Sequence, residues 1–334
     1  MKIVSIVGAR PNFIKLAPIH KMITTFSKQH TIIHTGQHYD FEMSEIFFRE
    51  FNLPKPDFNL EVGSASPAFQ IGEIIKRLER ILLHSDYDLA IVYGDTNSTL
   101  AGALSSKKMG IKVAHVEAGL RSFDVRMPEE INRILTDHLS DYLFAPTETA
   151  LKNLNREHVM GKIIYTGDIA VETVNTALKF SSRSSLKDLG IKSKSFVLFT
   201  MHRAENTAEK KNFISIIHAF EKLSEIQIVF PIHPRTRKIL QDNNLYNRLV
   251  DCKNVRLIQP LGYIDFLQLM QSAKKIITDS GGVQKEAYLL SVPCITIRRN
   301  TEWIETVDAG WNILTDFDSN KIIRATKEWT PPER

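Results

Sequence analysis

Short apolar runs alternate with longer amphipathic stretches along this 334-residue chain, and that alternation leaves few folds open to it. Strand-like runs separated by helical stretches describe parallel βα units. In the first half the runs cover residues 3–8, 31–36, 89–94, 113–118, 142–146 and 163–167. Helical stretches such as 13–29 and 69–85 lie between them. The second half restarts the pattern at 196–201, 226–232, 255–259, 275–279 and 294–297. Residues 181–195 break the register with a Ser- and Lys-rich stretch carrying Gly190, which reads as a linker. The expected fold is α/β, with two Rossmann-like domains facing a cleft and a boundary that gives 1–167 and 168–334. A length of 334 residues and 43% hydrophobic content suit two packed cores.

Many of these runs stop at a charged or hydrogen-bonding residue. Arg10, Asp95, Glu117, His202 with Arg203, His233 and Ser280 all follow an apolar run directly. In an open parallel sheet, ligands bind in the crevice at the carboxyl ends of the strands. Wet loops explain one or two such endings. They explain poorly a set with two carboxylates, two imidazoles, two guanidiniums and a Ser-Gly-Gly.

The turn GARPNFIK (8–15) opens the first helix. No GxG occurs in the chain, so the usual dinucleotide fingerprint is missing. Arg10 and Lys15 instead bring two cations suited to a phosphate or diphosphate. Asp95 in YGDTNS is placed either over the crevice or as a helix N-cap, and Asn97 or Ser98 serves equally as the cap. Glu117 ends a strand in HVEAGLR. Pro128 is placed as a first helical residue, with Glu129 in the first turn. Glu129 has ion-pair spacing to Arg133 and is equally a third member of a carboxylate cluster whose pKa values move apart. His202 and Arg203 stand where the second domain repeats the position of Arg10, and histidine is the usual proton shuttle near neutral pH. Ser280, Gly281 and Gly282 before a helix expose N–H groups to an anion, and Glu286 one turn later is placed for ribose hydroxyls.

The net charge of +5 is spread among nearly as many acids, with no long basic block, so no nucleic-acid partner is expected. Cys252 and Cys294 give neither a disulfide framework nor metal-ligand spacing, and no metal is expected. The chain begins directly with a strand-like run, and no stretch is long and apolar enough to span a bilayer. A cytoplasmic protein without a membrane partner is expected.

The ordered motifs GARPNFIK, YGDT, VEAGLR, PEEINR, MHRAEN, PIHPRTR and DSGGVQKEA together resemble the non-hydrolysing UDP-N-acetylglucosamine 2-epimerase family from residue 1 to about 312. The resemblance implies a GT-B-like fold, a UDP-sugar substrate and inversion at C2 of the sugar without a cofactor. It implies acid/base roles for Asp95, Glu117 and Glu129, and a catalytic or phosphate-contacting role for His202. It implies UDP-binding roles for Arg10, Lys15, Arg203, Ser280, Gly281, Gly282, Glu286 and Arg298, with Tyr263 at the uracil-stacking position. A homodimer is the expected assembly. The chain departs from the family where Thr301-Glu302-Trp303-Ile304-Glu305 replaces TERPE, and Gly36-Gln37-His38-Tyr39-Asp40 matches only part of a pattern tied to a second UDP-sugar site. Epimerisation of a related UDP-sugar, hydrolysis to free sugar and UDP, glycosyl transfer, and non-catalytic UDP-sugar binding are the alternatives.

Overall fold

A computed structural model describes residues 1–26, 29–37, 48–179, 190–201 and 203–333. These residues form two units, Met1–Asn175 and Thr176–Arg334.

In the first unit the strands are β1 (Ile3–Val7), β2 (His30–His34), β3 (Phe58–Asn59), β4 (Leu89–Tyr93), β5 (Lys112–Val116), β6 (Tyr142–Ala145) and β7 (Lys162–Tyr165). They form one sheet in the order β3-β2-β1-β4-β5-β6-β7. Its ladders are parallel, with β1 set between β2 and β4. Every residue of β1 is buried, as expected for a strand covered by helices on both faces. That double burial is why these strands read as continuous apolar runs rather than as alternating ones. The Pro67–Leu82 helix starts with proline at its first turn and buries Gln70, Ile74, Leu78 and Leu82, four residues apart. Ile74, Leu78 and Leu82 join Val4, Ile6, Ile33, Val92 and Val113 in one core.

The second unit repeats the plan with β8 (Phe196–Thr200), β9 (Gln227–Pro231), β10 (Val255–Ile258), β11 (Lys275–Thr278), β12 (Cys294–Thr296) and β13 (Asn312–Leu314). Their order is β10-β9-β8-β11-β12-β13, with parallel ladders on both sides of β8. Phe199 meets Phe220 and Phe230 edge-on, with ring centroids 5.0 and 4.6 Å apart. Each buried phenyl contributes about 1.5–3 kcal/mol by leaving water.

In each sheet the strand order reverses once, between β1 and β4 and between β8 and β11. Such switch points open a crevice above the strand ends. The short edge strands β3 and β13 were not expected, because neither carries an apolar run of its own. The Ser-rich stretch read as a linker falls largely on residues 181–189, outside the described set.

Candidate functional site

Above the β1/β4 switch point, the turn after β1 is held by Asn12. Its Oδ1 accepts the N–H groups of Gly8 and Ala9 at 3.1 Å each, and its Nδ2 donates to the Tyr93 carbonyl at 2.8 Å. One buried amide thus fastens the β1 turn to the end of β4. A Cβ on Gly8 would stand 2.0 Å from Thr35 Oγ1 and 2.1 Å from Ser98 Oγ, so the close approach requires glycine. Arg10, half-buried, is the first residue of the Arg10–Phe26 helix.

Asp95 follows β4. The cap of the next helix, Asn97–Lys108, is Thr96, which exchanges bonds with Thr99 in a capping box. Neither Asp95 nor Asn97 or Ser98 serves as the cap. Asp95 Oδ2 instead lies 2.5 Å from Arg133 Nη2, while Arg133 Nη1 reaches Glu130 Oε2 at 2.8 Å. Asn132 Nδ2 donates to the Asp95 carbonyl at 2.9 Å. Two neighbours on the Pro128–Leu139 helix therefore fix Asp95 by its backbone and its carboxylate.

Glu117 follows β5 with φ at 74°, in the left-handed region. That conformation costs a non-glycine residue about 1–3 kcal/mol and persists only where the surroundings enforce it. Its carboxylate is nearly buried and ion-paired with Lys15, one turn into the Arg10–Phe26 helix. Lys15 was expected at a diphosphate; the structure pairs it with the strand-end glutamate. Glu117 also lines a cavity of about 200 Å³ with Ile19, Val116, Phe144, Asp168 and Glu172.

Glu129 is half-buried in the first turn of the Pro128–Leu139 helix, with Pro128 at its start. Its neighbour Glu130 is buried, and accepts from Ser122 N and Ser122 Oγ at 2.9 Å and from Phe123 N at 2.8 Å. It staples the loop after VEAGLR to the helix that carries Glu129. Asp95 and Glu117 each stand beside a cation, Arg133 and Lys15, and an adjacent cation favours the ionised form. Beneath the turns, Asp137 meets His115 and Arg121. Burial works against the Asp137 carboxylate, but His115 and Arg121 outweigh it and hold its pKa below the usual range.

In the second unit, β8, β11 and β12 are neighbours, and their ends carry Arg203, the Ser280 turn and Arg298, part of the set read as UDP-binding. His202 lies outside the described residues. The Arg203 N–H donates to Asp279 Oδ2 at 3.0 Å, as does Asn206 Nδ2. Ser280 is the N-cap of the Gly281–Leu289 helix, and Gly282 in its first turn is exposed. Glu302 binds these ends together. Its Oε2 is 2.9 Å from Arg298 Nη1, and its Oε1 is 3.5 Å from Arg203 Nη2. A Cβ on Gly281 would lie 2.0 Å from the same Oε1, so glycine admits the carboxylate against the helix start. Tyr263 is 1% exposed, and its hydroxyl donates to Glu286 Oε1 at 2.9 Å. In this structure the ring expected to stack on a base is packed inside and orients Glu286. His233 caps the Pro234–Asp242 helix, its Nδ1 accepting from Arg235 N.

Asn12, Glu130, Asp137 and Glu302 carry no role from sequence, and Arg133 carries only an ion pair with Glu129. Asn12, Glu130 and Arg133 lie inside motifs already singled out, so their positions were the available signal. Of the segment 36–40, residues 38–40 fall outside the described set. Among the described residues no group of His, Cys, Asp and Glu is arranged to hold a metal ion. Among them, too, no helix is long and apolar enough to cross a membrane.

Two doubly wound parallel sheets of this kind define an α/β protein of the GT-B-like class. The family model described as UDP-N-acetylglucosamine 2-epimerase matches residues 21–333. A Methanococcus maripaludis protein named UDP-N-acetylglucosamine 2-epimerase homolog is 54% identical, over 99% of this chain and 93% of that protein. The UDP-2,3-diacetamido-2,3-dideoxy-D-glucuronate 2-epimerase of Pseudomonas aeruginosa is 43% identical, over 98% of this chain and 92% of that one. The crystal structure of the Methanocaldococcus jannaschii UDP-GlcNAc 2-epimerase in complex with UDP-GlcNAc and UDP matches with a TM-score of 0.93 and 45% identity, covering 98% of this chain and 92% of that one. The chain belongs to the UDP-N-acetylglucosamine 2-epimerase family.

Proposed function

We propose that the chain is an isomerase that interconverts UDP-N-acetylglucosamine and UDP-N-acetylmannosamine. The hydrogen on C2 is not acidified by a ring ketone, so its removal needs a placed carboxylate and a leaving group whose charge is stabilised. A carboxylate takes the C2 proton as the C1–O bond breaks and its electron pair leaves with UDP. The 2-acetamidoglucal stays bound. UDP oxygen then re-forms the bond to C1 while a proton is delivered to C2 on the opposite face. No water is consumed and no cofactor enters.

The observation that carries this reading is the strained, cation-paired Glu117 at the end of β5. Strain of this kind gathers at functional sites, and Lys15 favours the ionised carboxylate that a base requires. Asp95 and Glu129 complete the acid/base set in the N-terminal domain. His202 joins them as a proton-transfer or phosphate-contacting group. In the C-terminal domain, Ser280, Gly281 and Gly282 present helix-start N–H groups to the diphosphate, and Arg203 and Arg298 add charge. Glu286, oriented by Tyr263, takes the ribose, and Arg10 supplies a further cation. The cavity beside Glu117 has room for the acetamido group borne by the same C2. The enzyme acts as a cytoplasmic homodimer.

Phosphorus NMR of the chain with UDP-N-acetylglucosamine, alongside chromatography of the sugars, tests the outcome. The expected result is two UDP-sugars at constant total with no build-up of UDP. Free UDP with free N-acetylmannosamine would identify a hydrolysing enzyme. Turnover of the diacetamido-glucuronate substrate alone would move the assignment to that sugar.

A further inference from the structure

We propose that Asp137, acting with His115 and Arg121, is a positioning residue that locks the turns bearing Asp95 and Glu117 into one geometry. The proposal rests on the acid/base reading of those two carboxylates. Asp137 lies two turns beyond Glu129 on the Pro128–Leu139 helix. Its Oδ1 is 2.7 Å from His115 Nδ1, and the other ring nitrogen, Nε2, donates to the Gly94 carbonyl at 2.7 Å. Gly94 immediately precedes Asp95. Asp137 Oδ2 accepts the N–H of Gly119, two residues after Glu117, at 3.1 Å, and takes Arg121 Nη1 at 2.8 Å. Arg121 Nη1 also donates to the Leu120 carbonyl at 2.7 Å, and its other nitrogens fork onto Glu157 at 2.8 and 2.6 Å.

The side chains of His115 and Asp137 are 0% exposed and that of Arg121 1%. A buried ion cluster is weak evidence for stability, since well-packed apolar groups often replace one without loss. What sets this cluster apart is where its bonds go. Between them, its members bond the backbone at Gly94 and at Gly119 and Leu120. Those turns hold Gly94, Glu117 and Gly119 at φ of 67°, 74° and 83°. Strained turns of this kind persist only when several contacts fix them together. The helix that supplies Asp137 also carries Glu129, so a single carboxylate ties together three segments that bear acid/base residues.

The test is a double-mutant cycle read by exchange of the C2 hydrogen of UDP-N-acetylglucosamine. Asp137→Asn removes the carboxylate charge that Arg121 Nη1 pairs with, and it puts a donor opposite His115 Nδ1, which the ring can meet only in its neutral form with Nδ1 accepting. Exchange in the otherwise wild-type chain is expected to fall about 10- to 100-fold, the cost of misplacing a catalytic group by roughly an ångström. UDP affinity is expected to stay within about twofold, because the turns rather than the nucleotide contacts move. In the Glu117→Gln background the same substitution is expected to have a smaller effect, because one of the two groups it positions is gone. Equal factors in both backgrounds, or UDP affinity falling in step with exchange, would overturn the proposal. Should Asp137→Asn fail to fold, Arg121→Lys in the same cycle gives the same two outcomes. A wild-type chain that exchanges no C2 hydrogen removes the epimerase reading itself. Exchange in the wild type with equal factors across the cycle removes only the positioning role.

Discussion

Lys15 and Glu117 form the pair on which the chemistry of individual residues turns. From sequence Lys15 is a phosphate cation; in the structure it is the counter-ion of a nearly buried carboxylate. The two roles separate by experiment. Lys15→Met is expected to reduce turnover far more than UDP affinity; a loss mainly in UDP affinity would return Lys15 to the diphosphate. Glu117→Gln removes the proposed proton-transfer group and is expected to slow turnover about 10²- to 10⁴-fold with UDP binding retained. Away from this site, His20 Nδ1 stands 2.8 Å from His30 Nδ1, a contact with room for one proton only. Burial, reinforced by His20, pushes the His30 pKa down from 6.5 to about 4. As pH falls below about 6.5 the unfolded chain takes up this proton first. Stability present above that pH is therefore lost on the way down to about 4, and levels off below. Urea midpoints between pH 7 and 4.5 check this, and His30→Gln is expected to flatten the fall.

At the scale of elements, a lysine completes the end of a helix in the second unit. Lys275, at the start of β11, donates to the carbonyls of Ala325 and Thr326 at 2.8 Å each, and to that of Trp329, at the end of the Ser319–Lys327 helix. Lys275→Met leaves these carbonyls without their donor and is expected to cost about 1–3 kcal/mol, seen as a lower denaturation midpoint for this unit. The sheets were legible in sequence because their central strands are buried on both faces and so are continuously apolar. The edge strands β3 and β13 escaped, since two or three residues such as Phe58–Asn59 carry no pattern. The residues proposed for the site could be placed at strand ends from sequence, because a polar group after an apolar run marks a carboxyl end. The partners that hold them were not. Asp137 lies 22 residues from His115, and Arg133 lies 38 from Asp95. Nothing local in the sequence links such pairs; only the packing of the Pro128–Leu139 helix against the strand ends brings them together.

At the scale of the whole molecule, two parallel sheets share a plan, and the proposed chemistry is divided between them. The first carries Asp95, Glu117 and Glu129, and the second carries the Ser280 turn with Arg203, Arg298 and Glu286. Light scattering behind size exclusion is expected to give twice the 38.1 kDa chain mass, and a mass of one chain would remove the homodimer. The central claim concerns a single carbon–hydrogen bond, and proton NMR in deuterated water reads it directly. With UDP-N-acetylglucosamine, the account predicts loss of the C2 proton signal as deuterium enters, with intact UDP-sugar of both configurations at C2. A C2 proton that persists in this and related UDP-sugars after prolonged incubation would contradict it.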